Sequence, residues 1–180
     1  MKTLMVLAAA LGAAGEIPRF DADGDPAELL KKTGLTLTDA ISKATAIAKQ
    51  GTVVEAELEE EDGKVIYSVS FAQGNKVFEV NLDAKTGDQV GTETENEDES
   101  ATVQALKISV TQAIEAALQK KPGLAFKAEA ELEDGKPEIE VKILSDGKIY
   151  KVDVNGTTGV AGTPKAKKSE KKEEEKGEKK

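Results

Sequence analysis

The chain has 180 residues, 38% of them hydrophobic and 33% charged, with a formal net charge of -9, so any core is small and the length allows one or two domains. It has no His and no Cys, which removes the usual general base, thiol nucleophiles, Cys-based zinc sites and disulfides. Aromatic residues make up 3% of the chain, too few to line the desolvated cleft in which paired carboxylates or a Ser-Lys pair acquire catalytic pKa values; the composition argues against an enzyme.

The N-terminus, MKTLMVLAAALGAAGE, opens with Lys2, runs apolar from Leu4 to Leu11 and ends in small residues. This is the charged, hydrophobic and cleavage pattern of a secretory signal, with cleavage expected after Gly15, which makes Ala13 the third residue before the cut, or after Ala14. The apolar run is shorter than the roughly 20 residues that span a bilayer, and no cysteine follows it for lipid attachment, so no stable membrane anchor is expected. The predicted location is exported, periplasmic or extracellular in a bacterium. Residues 16–34 form an N-terminal segment containing DADGDPAELLKK. Its opening is that of an EF-hand loop, but the positions that need Gly and a bidentate Glu hold Pro26 and Lys32, so the calcium pattern fails. Asp25-Pro26 instead predicts a short helix through Leu29 and Leu30.

A first unit follows over 35–91. Thr36-x-x-Asp39 is a capping box, and Ala40, Ile41, Ala44, Ile47 and Ala48 recur at helical spacing. The period then falls to two: Val54, Ala56 and Leu58 alternate with Glu55, Glu57 and Glu59, a strand with one dry face. Asp62-Gly63 predicts a tight hairpin, leading to a strand carrying Tyr67, Val69 and Phe71, a turn at Gly74-Asn75, and a strand carrying Phe78, Val80 and Leu82. At its end, Asp83-Ala84-Lys85-Thr86-Gly87 reads as a turn, with Asp83 bonding its own downstream amides and Gly87 taking positive φ.

Residues 92–104 have an acidic run, TETENEDES, without aliphatic side chains, and read as a solvated linker. The second unit, 105–162, repeats the first. With Val53 set against Ala125, EAELEEEDGK lies on KAEAELEDGK, while the helices align one residue further apart, Ala40-Ile41 on Ala113-Ile114. Ser109-x-x-Gln112 is its capping box and Ala113, Ile114, Ala117 and Leu118 its helical stripe. Phe126, Ala128, Ala130 and Leu132 alternate with Lys127, Glu129 and Glu131, with Glu133 beyond. Two further strands carry Ile139, Val141 and Ile143, then Tyr150, Val152 and Val154, and Asn155-Gly156-Thr157-Thr158-Gly159 closes the unit. Both units therefore read α-β-β-β, an α+β fold in which a helix covers one face of a three-stranded antiparallel meander. At about 55 residues such a unit is marginal alone, and docking of the two adds stability. The last stretch, 163–180, is Lys/Glu low complexity and is expected to be disordered. Its interleaved Glu and missing aromatics argue against nucleic-acid binding.

The marks Ala40-Ile41, Tyr67-Ser68-Val69 and Leu82-Asp83-Ala84-Lys85-Thr86-Gly87 resemble those of a PepSY domain, the module of thermolysin-like metalloprotease propeptides and of bacterial envelope proteins. The second copy keeps Ala113-Ile114, replaces the Tyr with Ile139 and alters the closing motif. The resemblance implies a non-catalytic binding module that inhibits or chaperones a metalloprotease. Without His the chain carries no His-Glu-x-x-His zinc site of its own, so the implied partner is a separate protein, such as a secreted metalloprotease. The candidate contact residues are Glu55, Glu57, Glu59, Glu129, Glu131 and Asp83. Stacked glutamates on one strand face repel unless a cation or basic surface offsets them. That leaves two expectations: a protein-binding face, or an acidic face holding weak calcium in a structural envelope protein, with no other cofactor.

Overall fold

The computed structural model describes residues 24–166; the expected signal peptide, the Asp21 end of the EF-hand-like string and nearly all of the Lys/Glu tail lie outside them. Helix α1, Pro26–Leu30, starts where Asp25-Pro26 predicts it, with the Asp25 side chain accepting from the Ala27 amide. The first unit then runs α2 (Leu37–Ala48), β1 (Thr52–Glu61), β2 (Lys64–Gln73), β3 (Lys76–Asp83) and β4 (Gln89–Glu95). After α3 (Ser100–Ala105) the second runs α4 (Val110–Lys120), β5 (Leu124–Glu133), β6 (Lys136–Ser145), β7 (Lys148–Asn155) and β8 (Lys165–Ala166). All the strands join one antiparallel sheet in the order β4-β3-β2-β1-β5-β6-β7-β8.

Local chemistry is duplicated closely. Both capping boxes form: the Thr36 and Ser109 hydroxyls accept from the Asp39 and Gln112 amides at 3.1 and 3.2 Å, and the side chains of those residues accept from the Thr36 and Ser109 amides in return. At Asp62-Gly63, Asp134-Gly135 and Asp146-Gly147 both residues have positive φ, the condition for a two-residue turn whose twist matches its strands. Gly74-Asn75 uses positive φ only at the Gly, as a turn with Gly first requires. Both first strands carry a bulge, between Val53 and Glu55 and between Ala125 and Lys127.

The core lies between helices and sheet. Leu37, Ala40, Ile41 and Ala44 of α2 and Val110, Ala113, Ile114 and Ala117 of α4 are buried against Leu58, Tyr67, Val69, Phe71, Val80 and Leu82 and their counterparts Ile139, Val141, Ile143, Val152 and Val154. Burying each large side chain contributes roughly 1.5–3 kcal/mol. Leu132, expected on the dry face, stands at 37% exposure, beyond the reach of the helix at the strand's hairpin end.

Two stretches differ from the sequence reading. Thr92–Glu95, placed in the linker, complete β4 along β3, and Ser100–Gln104 open α3. Lys165 and Ala166, placed in the tail, pair with Lys151 and Tyr150. In both edge strands backbone pairing does the holding while the side chains face water, so no apolar period marks them.

Candidate functional site: the helix-free face of the sheet

Because strand side chains alternate, burial of Ala56, Leu58, Val69, Val80, Val141 and Val152 under the helices sends their neighbours to the opposite face. Strand register assembles those neighbours into rows. Across the first unit one row reads Glu93, Glu79, Ser70, Glu55, and it continues over the second as Glu129, Glu140, Asp153. The adjacent row reads Gly91, Asn81, Ser68, Glu57, then Lys127, Lys142, Lys151, Lys165. Over the second unit an acidic row thus lies beside a basic one. Over the first it lies beside three neutral residues and Glu57.

The pairing follows. In the second unit Glu140 contacts Lys142 and Lys151, while Asp153 contacts Lys151 at 3.3 Å and Lys165 at 2.8 Å. Burial pulls the Lys151 pKa down, but the hydrogen bond and charge of Glu140 outweigh it and hold the ammonium above its ordinary value. In the first unit Glu79 faces Glu93. Burial, then Glu79, Glu61 and Glu95, raise the pKa of Glu93. Glu59 is pushed up to about 7, first by burial and then by Glu57, Glu79, Glu61 and Glu55.

Between the units stands Lys127, whose Nζ lies 2.7 Å from Glu55, 2.5 Å from Glu57 and 3.5 Å from Glu129. Its side chain is only 9% exposed. Burial disfavours the ammonium, and the attraction of Glu55 and Glu57 more than offsets it, so its pKa is raised. A concavity of about 250 Å³ opens beside this lysine. Among the described residues its charged walls are Glu55, Glu79, Glu95, Glu97, Glu99 and Glu129 with Lys127 the single cation, and Ser70, Val54 and Val77 complete most of the rest. Glu95, Glu97 and Glu99 come from β4 and the chain after it, so the segment read as linker forms one side of the site.

Of the residues singled out in the sequence, Glu55, Glu57 and Glu129 gather round Lys127, and Glu59 lies next along β1. Glu131 stands apart: antiparallel pairing about Ala56 and Ala128 sends it and Glu59 to opposite sides, roughly 20 Å apart along the strands. Among the described residues no group of three or more acidic side chains is arranged to hold a metal ion. The cation that offsets the stacked glutamates is the ammonium of Lys127. Sequence reading passed over it, although the repeat alignment sets Lys127 on Glu55, a reversal of charge on the face in question.

Asp83 belongs to a different device. Its Oδ1 accepts from the Lys85 and Thr86 amides at 2.9 and 2.8 Å, and these bonds hold its pKa below the usual carboxylate range. Gly87, at φ 75°, donates its amide to the Asp83 carbonyl. Ala84 in the middle donates to the Val65 carbonyl and accepts from the Gly34 amide at 2.9 Å, so the turn ties the segment ahead of α2 to the sheet. Asn155 repeats all of this: its Oδ1 accepts from Thr157 and Thr158, and Gly156 donates to Pro137 and accepts from Lys107. A cap on Tyr67 strengthens the first copy, its hydroxyl donating to the Leu35 carbonyl at 3.0 Å; Ile139 supplies no counterpart.

No curated protein matches the chain. Among solved structures, a candidate lipoprotein of Clostridium difficile 630 is similar at 22% identity and a TM-score of 0.47, covering 75% of this chain and 95% of its own. The C-terminal domain of Bacillus megaterium YpeB is similar at 16% identity and a TM-score of 0.31, covering 76% of this chain and 67% of its own. The family described as peptidase propeptide and YPEB domain matches twice, over residues 34–93 and 107–160, the two units whose duplicated caps and closing turns are described above. With more than half of its length matched in two copies, the chain belongs to the PepSY family.

Proposed function

We propose that the protein is a non-catalytic, exported protein-binding module that inhibits or modulates a secreted protease or another envelope protein, and that it does so through the helix-free face of its first unit. The observation that carries this reading is the acidic side of the concavity, where Glu79 faces Glu93 with Glu95 and Glu99 nearby, beside a row of Ser68, Asn81 and Gly91 that carries no lysine. A face of one charge sign on a folded scaffold favours a basic partner by electrostatic complementarity, chiefly through association rate and selectivity. The composition supports a non-catalytic role, since the chain lacks His and Cys, and the word propeptide in the family's description supports a protease as partner. The N-terminal pattern around Lys2 to Gly15 supports export.

The test is inhibition of a panel of secreted thermolysin-like proteases by residues 16–180, compared with the triple variant Glu79→Gln, Glu93→Gln, Glu95→Gln. Submicromolar inhibition that weakens in the variant and in high salt is the expected outcome. Equal potency of the two proteins removes the acidic face from the mechanism. No inhibition, with a melting temperature that rises in millimolar calcium, replaces the protease reading with a cation-binding envelope protein.

A further inference from the structure

The seam between the units has an internal symmetry with one deliberate exception. Strands β1 and β5 pair only at Glu55 with Glu129, Ala56 with Ala128, and Glu57 with Lys127. Ala56 and Ala128 are counterparts in the repeat, so a pseudo-twofold axis passes between them, and each bulge closes the ladder at one end. By the same correspondence Lys127 stands for Glu55, and Glu129 for Glu57. Suppose β1 paired in this register with β1 of a second copy. Glu55 would then face Glu57 twice, placing four carboxylates together with no cation, an arrangement that like-charge repulsion disfavours. With β5 as partner, the one exchange of Glu for Lys puts an ammonium within 3.5 Å of all three remaining carboxylates.

We propose that Lys127 selects β5 of the same chain over β1 of a second copy as the partner of β1, so that a seam otherwise suited to joining identical units is kept inside one molecule. The role is one of pairing specificity, as a single buried polar or charged residue fixes partner choice in other repetitive interfaces. Charge makes the rule legible. The wild-type β1 repels itself and attracts β5; a β1 carrying Lys at position 55 attracts both.

Three variants of the full chain test this, read by thermal melting and by light scattering after refolding over a range of protein concentrations. Lys127→Glu is expected to lower the melting temperature by roughly 8 °C, and the charge swap Glu57→Lys with Lys127→Glu to restore most of that loss, because the ammonium returns among three carboxylates. Glu55→Lys is expected to melt no lower than wild type and yet to refold partly as a dimer at high concentration, where wild type refolds as a monomer. The proposal is overturned if the swap melts no higher than Lys127→Glu, if Glu55→Lys stays as monomeric as wild type, or if wild type itself refolds as a dimer.

Discussion

The two units share their backbone plan down to the bulge in the first strand and the amide bonds of the closing turn, yet their helix-free faces carry different charge patterns. Over the second unit Glu140 and Asp153 are matched by Lys142, Lys151 and Lys165. Over the first, Glu79 and Glu93 face one another beside Ser68, Asn81 and Gly91. The difference separates two kinds of position. Caps, turns and inward side chains meet geometric demands that both units make alike, whereas outward side chains on a finished sheet vary: the first unit sets Glu79 against Glu93 at its outer strands, while the second pairs its central carboxylates with lysines and leaves a like-charged pair, Glu131 with Glu138, toward its hairpin end.

The comparison can be broken hardest at its midpoint. Lys127→Met leaves Glu55, Glu57 and Glu129 around an apolar side chain, and stripping one partner from a buried ionic cluster costs about 3–5 kcal/mol; chemical denaturation at pH 8 checks it. Lys142→Met, on the better-solvated part of the basic row, should cost far less.

The closing turns offer a second contrast. Gly87 and Gly159 have nearly the same φ, 75° and 74°, so an alanine is strained at both, by about 1 kcal/mol. A Cβ at Gly87 would also come within 2.8 Å of Leu35 and 2.7 Å of Lys43, while at Gly159 the nearest atom, on Ile108, is 3.7 Å away. Gly87→Ala is therefore expected to cost about 2 kcal/mol and Gly159→Ala about 1 kcal/mol, measured by urea unfolding.

Glu59 sharpens the electrostatic side. Its folded pKa of about 7 lies above the ordinary glutamate value of 4.5, so the folded protein holds a proton that the unfolded chain has released. Below pH 4 both states are protonated and Glu59 has no effect; as pH rises through the window from 4.5 to 7, stability falls. Glu59→Gln should abolish that fall and gain about 1 kcal/mol at pH 8, after allowance for solvent screening at a partly exposed site, with no gain at pH 4. Paired melts at the two pH values decide it. The smallest effect is expected from Tyr67→Phe, which removes the bond to Leu35 and costs somewhat under about 1 kcal/mol, with Ile139 showing that the unit closes without it.

Sequence reading reached the fold because its signals are local. Thr36-x-x-Asp39, Asp62-Gly63 and the alternation from Val54 to Leu58 each state a backbone geometry within a few residues, and the repeat states each one twice. The candidate site was legible only in part. Glu55, Glu57 and Glu129 were singled out as a like-charged face needing an external cation, but they meet an internal one, and Glu131 was grouped with Glu59 although antiparallel pairing sends the two apart. Glu79 was not singled out, since it lies on a different strand, and Glu93, Glu95, Glu97 and Glu99 were assigned to a solvated linker, since their edge strand has no apolar period and their composition reads as one.

By itself, then, the sequence determined the duplicated α+β units, their caps, hairpins and closing turns, and the absence of His and Cys chemistry, all consequences of short-range stereochemistry and residue type. Only the tertiary structure decided that the units merge through β1 and β5 into one sheet, that Lys127 lands among three glutamates from two units, and that Glu79 meets Glu93 across the outer face. Strand register between distant segments sets those outcomes. A one-residue slip turns every side chain to the other face, and no local pattern records which strand a neighbour will choose.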